Sequence, residues 1–92
     1  MKTELKQIDS LTLGLSKRTQ VSVDRDHNYY IIKNIKSRII MKDGKKIVEI
    51  ATTIKNQTNK QVFLATTAPV CSKTKVYLIS KNIQIVTDYS HN

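Results

Sequence analysis

The chain has very little of several residue types, and each scarcity excludes a class of protein. A single cysteine, Cys71, allows no disulfide within the chain, and the paired Cys and His spacing of a structural zinc site is missing. Two glycines and one proline are too few for a disordered chain or a long flexible linker. No apolar run could span a bilayer, and the opening MKTELKQIDS lacks the apolar block of a secretory signal. We therefore expect a cytoplasmic protein in a reducing compartment.

The chain is also short. We expect its 92 residues to form a single domain, residues 1–92, without disulfide or metal cross-links. Its stability then has to come from packing or from a second copy. A homodimer is expected for this reason, because a small core gains from burying a further face.

β-branched residues are abundant: twelve Ile, seven Val and ten Thr make up nearly a third of the chain. Such residues favour strands, and the turn residues RDHN at 25–28 separate the first two. The predicted strands lie in QVSVD (20–24), YYIIKNIKSRII (29–40), QVFLATT (61–67) and IQIVTD (83–88). We expect the second of them to be an interior strand from Tyr29 through Arg38.

The segment KDGKKIVEIATTIKNQTNK, residues 42–60, fits two structures. Its apolar residues have the spacing of one helix face: Ile47, Ile50, Ala51 and Ile54. Asp43 would cap that helix. The same region also fits a hairpin around Asp43 and Gly44, a strong turn signal, and Thr52 and Thr53 favour a strand. We prefer the helix.

Two further helices are predicted. Leu5 and Ile8 have helical spacing near the N-terminus, and Gly14 is a natural stop. Leu11, Leu13 and Leu15 fit the beginning of a strand equally well. Ser72 caps another helix after Pro69, and its apolar residues share one face: Val76, Ile79 and Ile83. The terminal DYSHN, residues 88–92, is expected to fray.

This order of elements predicts an α/β (α+β) fold, with a small mixed sheet flanked by two or three helices. If residues 38–50 and 53–65 both form hairpins, the alternative is an all-β meander or barrel. That fold would suit a protein-interaction or structural module, such as a virus-encoded or host-defence inhibitor.

Positive charge is concentrated in the middle of the chain. The net charge is +9, and residues 31–60 contribute +6 of it, with eight Lys or Arg against Asp43 and Glu49. A surface this basic attracts polyanions by counterion release, whatever the base sequence. Thirteen Lys against three Arg favour contacts with the phosphate backbone over bidentate contacts with bases.

Three stretches stand out: VSVDRDHNYYIIKNIKSR, VFLATT and VCSKTKVYLISKNIQIV. Together they resemble the PD-(D/E)xK nuclease-like superfamily, in its archaeal and Mrr-like, restriction-endonuclease-type branches. VSVDRDHNYYIIKNIKSR (21–38) is similar to the hairpin that ends one strand in an acid and places acid-x-Lys on the next. VFLATT (62–67) resembles the following buried strand, and VCSKTKVYLISKNIQIV (70–86) resembles the closing helix and strand. The resemblance spans about residues 20–87 and implies a restriction-endonuclease-like core.

In that family a divalent metal activates water for phosphodiester hydrolysis, two acids hold the Mg²⁺, and a lysine orients the water. The resemblance implies Asp24, or Asp26, as the first acid and metal ligand, and Lys36 as the lysine. Asn34 stands where the second acid belongs, and its amide carries no charge for the metal. The resemblance therefore implies a degenerate member. If it were active, it would be a Mg²⁺-dependent nuclease with Asp24 and Lys36 as catalytic residues.

Together these observations predict a small basic protein that binds the backbone of DNA or RNA and lacks full phosphodiesterase activity. No cofactor is expected unless the chain is catalytic. The predicted phosphate contacts are Lys33, Lys36, Arg38, Lys42, Lys45 and Lys46. We assign the four Tyr and one Phe mainly to the core, since so few aromatic residues are available for it.

Overall fold

The computed structural model describes residues 3–87 and 89–91, which form six strands, two α-helices and one 3₁₀ helix. The strands are β1 Thr3–Ile8, β2 Gln20–Val23, β3 Tyr29–Ile32, β4 Val62–Ala65, β5 Gln84–Val86 and β6 Tyr89–His91. The helices are α1 Met41–Thr58 and α2 Ser72–Ser80, and the 3₁₀ helix is Ser10–Leu13. In this described part of the chain, neither helix is long and apolar enough to cross a bilayer.

The predicted fold class, a mixed sheet flanked by helices, is confirmed. The strand order is β5-β4-β3-β2-β1-β6. Strands β3, β4 and β5 run parallel and are connected by α1 and α2, whereas β1, β2 and β3 form an antiparallel meander. Gln20 lies opposite Ile32, so the start of β2 lies beside the end of β3.

The helices cover one face of the sheet. Alternation along β3 sends Ile31 to this face, where Val21 and Leu64 of the neighbouring strands also lie. The buried apolar stripe of α1 consists of Ile47, Ala51 and Ile54. The predicted helix in the middle segment is therefore confirmed, and the all-β alternative is wrong because this stripe has the helical period.

Helices α1 and α2 meet at Gly44. A Cβ at this position would lie 2.7 Å from Thr74 Cγ2, so a side chain fits there only if Thr74 moves. This close contact turns the side of α2 that carries Thr74 toward α1. Thr74 and Leu78 are the buried residues of α2. The predicted apolar face of α2 is therefore wrong for Val76 and Ile79, which are 68% and 55% exposed.

A second, smaller cluster covers the opposite face of the sheet. Its buried members are Leu5, Tyr30, Ile32 and Ala65, and partly buried Phe63, Val86 and Tyr89 pack against them. The rings of Tyr30 and Phe63 stack with centroids 4.8 Å apart, as expected for core aromatics. β5 and β6 stand at opposite ends of the strand order, yet Val86 and Tyr89 are only three positions apart in the chain and both pack in this cluster, so the sheet curls.

The predicted N-terminal helix is wrong, because Thr3–Ile8 forms β1. The second half of β1 pairs with β2 and the first half pairs with β6, so long-range pairing overrides the helical spacing of the apolar residues. Leu5 is buried between exposed Glu4 and Lys6. The expected fraying is also wrong for Tyr89–His91, and the expectation for residues 88 and 92 lies outside the described residues.

β3 ends at Ile32, well before the predicted end at Arg38. One further ladder bond follows, in which the N–H of Lys33 donates to the carbonyl of Ala65. Beyond it β4 gives way to a loop, and pairing returns as a single bridge between Ile39 and Val70. The predicted interior strand is therefore confirmed up to Ile32, and the residues after it form a loop.

Candidate nucleic-acid interface

Lys33, the first of the predicted phosphate contacts, directly follows the end of β3. The backbone of Lys33 is held twice: its N–H donates to the Ala65 carbonyl at 3.0 Å, and its carbonyl accepts from Thr66 Oγ1 at 2.6 Å. Thr66 is fully buried, and its Oγ1 also accepts from the N–H of Ala68 at 3.0 Å. The half-buried Lys33 therefore leaves the sheet from a fixed backbone position.

Helix α1 carries three lysines in its first two turns, at Lys42, Lys45 and Lys46. The carboxylate of Asp43 accepts from the N–H of Ile40 at 3.1 Å and fixes the start of the helix. The prediction that Asp43 is the N-cap residue is therefore wrong, because the helix begins earlier, at Met41. Cations near a helix N-terminus oppose the helix dipole, whereas a bound anion is favoured there. The three lysines thus cost helix stability and suit an anionic partner.

The side chains of these two segments line one shallow cavity of about 380 Å³, which we call the lysine pocket. Its lining residues are Lys33, Lys42, Asp43, Lys45, Lys46 and Glu49. Glu49 lies 3.9 Å from the Nζ of Lys46, but both side chains are exposed, so water and salt screen this ion pair. Four lysines against two carboxylates leave the pocket positive.

A larger cleft of about 550 Å³ adjoins the lysine pocket, because Lys33 and Lys46 line both. Its apolar lining comes from Ile31, Ile32, Ile35, Ile47 and Ile50. Arg18 adds a third cation, Ser16, Thr19, Gln20 and Asn34 supply neutral polar groups, and none of the lining residues is acidic. The cleft therefore extends the positive surface across the end of β3 to the segment before β2.

Sequence reasoning missed Arg18 and Gln20. Both lie in or next to the start of β2, which antiparallel pairing places beside the end of β3. The Lys17-Arg18 pair just before a predicted hairpin strand was a usable signal, since an antiparallel hairpin brings those two ends together.

The other two predicted phosphate contacts lie apart from the lysine pocket. Lys36 is exposed in the loop after β3 and lines neither the pocket nor the cleft. Arg38 lies near Cys71, at the start of α2. The backbone N–H groups of Lys73 and Thr74 lower the pKa of Cys71, and Arg38 adds to this effect. The structure thus unites Lys33, Lys42, Lys45 and Lys46 and leaves Lys36 and Arg38 outside.

The predicted first acid, Asp24, lies at the far end of the hairpin. It follows Val23, which pairs with Tyr29 at the beginning of β3. The predicted lysine, Lys36, follows the other end of β3, and four residues of strand alone extend roughly 13 Å. The structure therefore does not bring Asp24 and Lys36 together, because the hairpin register places them at opposite ends.

The oxygens of Asp24 are engaged within the turn. They accept from the N–H of Asp26 at 2.9 Å, from the N–H and side-chain amide of Asn28 at 3.0 and 3.4 Å, and from the Tyr30 hydroxyl at 2.9 Å. Burial alone would raise the pKa of Asp24, but these hydrogen bonds outweigh it and lower the pKa. Burial and the nearby Asp24 carboxylate raise the pKa of Tyr30, which therefore stays a donor.

The residues present do not fit the predicted Mg²⁺ site. In residues 3–87 and 89–91, no three His, Cys, Asp or Glu side chains are close enough to hold a metal ion together. Asp24 and the exposed Asp26 share the turn at the far end of the hairpin. Asn34, at the predicted second acid position, lines the cleft, and its Oδ1 accepts from the Tyr89 hydroxyl at 2.7 Å. The cleft thus offers cations and amides where a metal site needs anionic oxygens.

Comparison with known proteins finds similarity in structure. No family model and no curated protein matches the sequence. EndoMS in its apo form has a TM-score of 0.65 and 10% identity over 94% of this chain and 37% of that chain. A repair endonuclease from Pyrococcus abyssi has a TM-score of 0.61 and 12% identity, over 76% and 31%. EndoMS in the EndoMS-dsDNA2 complex has a TM-score of 0.60 and 10% identity, over 79% and 31%.

At 10 to 12% identity, these matches show the fold alone. The chain spans about a third of the length of these endonucleases, at 31 to 37%. The nuclease-like fold expected from the sequence is thereby confirmed, since one of the matched proteins is a repair endonuclease by name.

Proposed function

We propose that this chain binds duplex DNA through the phosphate backbone, on a degenerate PD-(D/E)xK nuclease-like core, without metal-dependent cleavage. The observation that carries this proposal is the convergence of four lysines on the lysine pocket, at the N-terminal end of α1. The similarity of fold to EndoMS, one structure of which is a complex with double-stranded DNA, supports DNA among the possible polyanions.

Phosphate suits this surface for two physical reasons. The first turn of α1 presents backbone N–H groups and the positive end of the helix dipole to an anion. Lysine adds flexible point charges, which attract any phosphate and distinguish bases poorly. Arg18 continues the charge along the adjoining cleft. A duplex lying across the end of β3 would therefore meet a continuous cationic surface.

Replacing Lys45 and Lys46 together with alanine is expected to weaken duplex binding roughly tenfold at moderate salt. Each phosphate contact contributes about −0.9 to the slope of log K against log salt, so the loss of two contacts should make the slope less negative by about 1.8. Fluorescence anisotropy of a labelled duplex between about 50 and 200 mM salt measures both quantities.

The matched control removes the same charge from the other end of α1. Lys55 lies ten residues after Lys45, about 15 Å along the helix axis, and Lys60 follows the end of the helix. Neither lines the lysine pocket. The Lys55→Ala, Lys60→Ala variant should keep the wild-type slope. An equal loss in both double variants would mean that net charge attracts DNA without a defined surface, and the proposal would then fail.

Incubation of supercoiled or linear DNA with the protein and Mg²⁺ or Mn²⁺ is expected to give no cleavage, because among the residues that the structure describes the carboxylates needed to hold the metal do not converge. Binding should be the same with EDTA as without it. Gel analysis after incubation at saturating protein measures this. Cleavage that EDTA and Lys36→Ala both abolish would overturn the non-cleaving half of the proposal while leaving the binding half intact.

RNA, the homodimer and the cytoplasmic location stay predictions. Competition by an RNA duplex of the same sequence tests DNA preference, since the A-form helix presents different grooves to the lysine pocket. Sedimentation equilibrium gives the mass of the particle in solution. The single free cysteine supports a reducing compartment.

A further inference from the structure

Two exposed apolar side chains stand at the start of α1, inside the stretch RIIMK at residues 38–42. Ile40 is 49% exposed and Met41 is 36% exposed. The preceding Ile39 is fully buried and paired with Val70, so it anchors the chain and presents the next two residues at the surface. Exposed Arg38 and Lys42 flank them.

Folding gives no reason for an isoleucine at position 40. Ile40 is the N-cap residue of α1, with an extended backbone at φ −108° and ψ 178°. Ser, Thr, Asp or Asn is preferred at an N-cap because its side chain accepts from a first-turn N–H. Ile40 has no acceptor, and its side chain is half in water. Ile40 differs from other exposed apolar residues such as Ile79 in its place two residues before Lys42 of the lysine pocket, where a partner bound to the lysines would meet it.

We propose that Ile40 and Met41 form an apolar wedge that inserts at a base step in the minor groove of the duplex. This inference rests on the proposed function, because the lysine pocket holds the DNA that the wedge would enter. Met41 lies one helical turn before Lys45, on the same side of α1, so the wedge and a phosphate contact are neighbours. Isoleucine and methionine are residue types that proteins insert between bases to unstack them.

The wedge gives the surface a property that lysines alone lack. Lysine contacts report the backbone, which is the same for every sequence. Insertion costs unstacking energy, and that cost is lowest at flexible pyrimidine–purine steps such as TA. The chain should therefore prefer duplexes with such steps, and it should unstack the base where the wedge enters.

The test uses the full chain and duplexes with 2-aminopurine next to a TA step, whose fluorescence rises when the base unstacks. Wild-type protein is expected to raise the fluorescence at saturation. Ile40→Ser should lose most of this rise and bind several-fold more weakly, while its thermal midpoint stays equal or increases because serine caps the helix. Met41→Gln, which keeps helix propensity, should give the same loss of fluorescence without relying on the cap.

Ile79→Ser is the control, since Ile79 is 55% exposed on α2 and lies outside the lysine pocket. It should leave both fluorescence and affinity unchanged. Full fluorescence in both wedge variants, or no rise with wild-type protein that still binds with the lysine-dependent salt slope, would overturn the wedge alone. Absence of salt-dependent binding by the wild-type protein would overturn the proposed function and the wedge with it.

Discussion

Replacing Asp24 with alanine is expected to destabilise the fold by about 2–3 kcal/mol. The carboxylate accepts hydrogen bonds from Asp26, Asn28 and Tyr30 and so joins the β2–β3 turn to a core aromatic ring. Its loss leaves the hydroxyl of Tyr30, a residue only 5% exposed, without its acceptor. Urea unfolding followed by circular dichroism measures the change. An unchanged midpoint would contradict the structural role of Asp24.

Two further variants separate the hydrogen bonds from the charge. Asp24→Asn keeps one acceptor and should cost less than the alanine variant. Tyr30→Phe removes a donor that lowers the pKa of Asp24, so that pKa should rise in this variant. None of these changes should affect DNA binding in folded protein, because Asp24 lies at the end of the hairpin opposite the lysine pocket.

The lowered pKa of Asp24 also predicts a pH dependence of stability. Since the folded pKa lies below the ordinary value of 3.8, the ionised group stabilises the fold above that value. This contribution is lost as the pH falls through the lower, folded pKa. Urea unfolding between about pH 5 and pH 2 should therefore show a steeper loss of stability for wild type than for Asp24→Asn.

Gly44→Ala is expected to destabilise the protein by about 2 kcal/mol, although alanine is normally the better helix residue. The added Cβ would lie 2.7 Å from Thr74 Cγ2, and both residues are buried where α1 meets α2. Overpacking of this kind outweighs the helix-propensity gain of up to about 1 kcal/mol. Thermal or urea unfolding measures the net effect.

The Gly44→Ala change is also made in the Thr74→Ser variant, which tests whether the contact with Thr74 is the cause, because serine lacks the Cγ2 that the new Cβ would meet. In that background Gly44→Ala should become neutral or stabilising, by up to about 1 kcal/mol. The same destabilisation in both backgrounds would show that the contact with Thr74 does not explain the glycine.

The succession from β3 to β5 could be predicted because its signals are local. The helical spacing of Ile47, Ala51 and Ile54 decided between helix and hairpin, and apolar runs marked β3 and β4. β1 and β6 could not be predicted in the same way. The two strands pair with each other across nearly the whole chain. The short-range spacing of Leu5 and Ile8 therefore indicated a helix, and the terminal position of residues 89–91 indicated fraying.

The residues of the candidate site also divide into those that local sequence predicts and those that depend on strand pairing. Lys42, Lys45 and Lys46 come together because one helix end carries them, which the sequence already indicates. Arg18 joins them through the register of a hairpin, and register depends on pairing that a single strand does not encode. The same register places Asp24 at the turn of the hairpin, away from the end of β3 where Lys36 follows, although the sequence around Asp24 resembles the nuclease motif.

The exposed face of α2 was mispredicted for a packing reason. Helical spacing of Val76 and Ile79 indicated an apolar face toward the core, yet α2 turns the smaller Thr74 inward to approach Gly44. Apolar periodicity identifies a helix, but it does not show which side of that helix packs against the core when a glycine on a neighbouring helix allows a close contact.

Chemical-shift mapping tests the central claim most directly. Duplex DNA is titrated into isotope-labelled protein, and the shift of every backbone amide is followed. We predict that the largest changes fall at residues 16–20, 33–35 and 40–47, around the lysine pocket and its cleft, with little change at residues 24–28 or 55–60. Changes centred on the Asp24 turn or on the far end of α1 would contradict the claim that DNA binds at the end of β3.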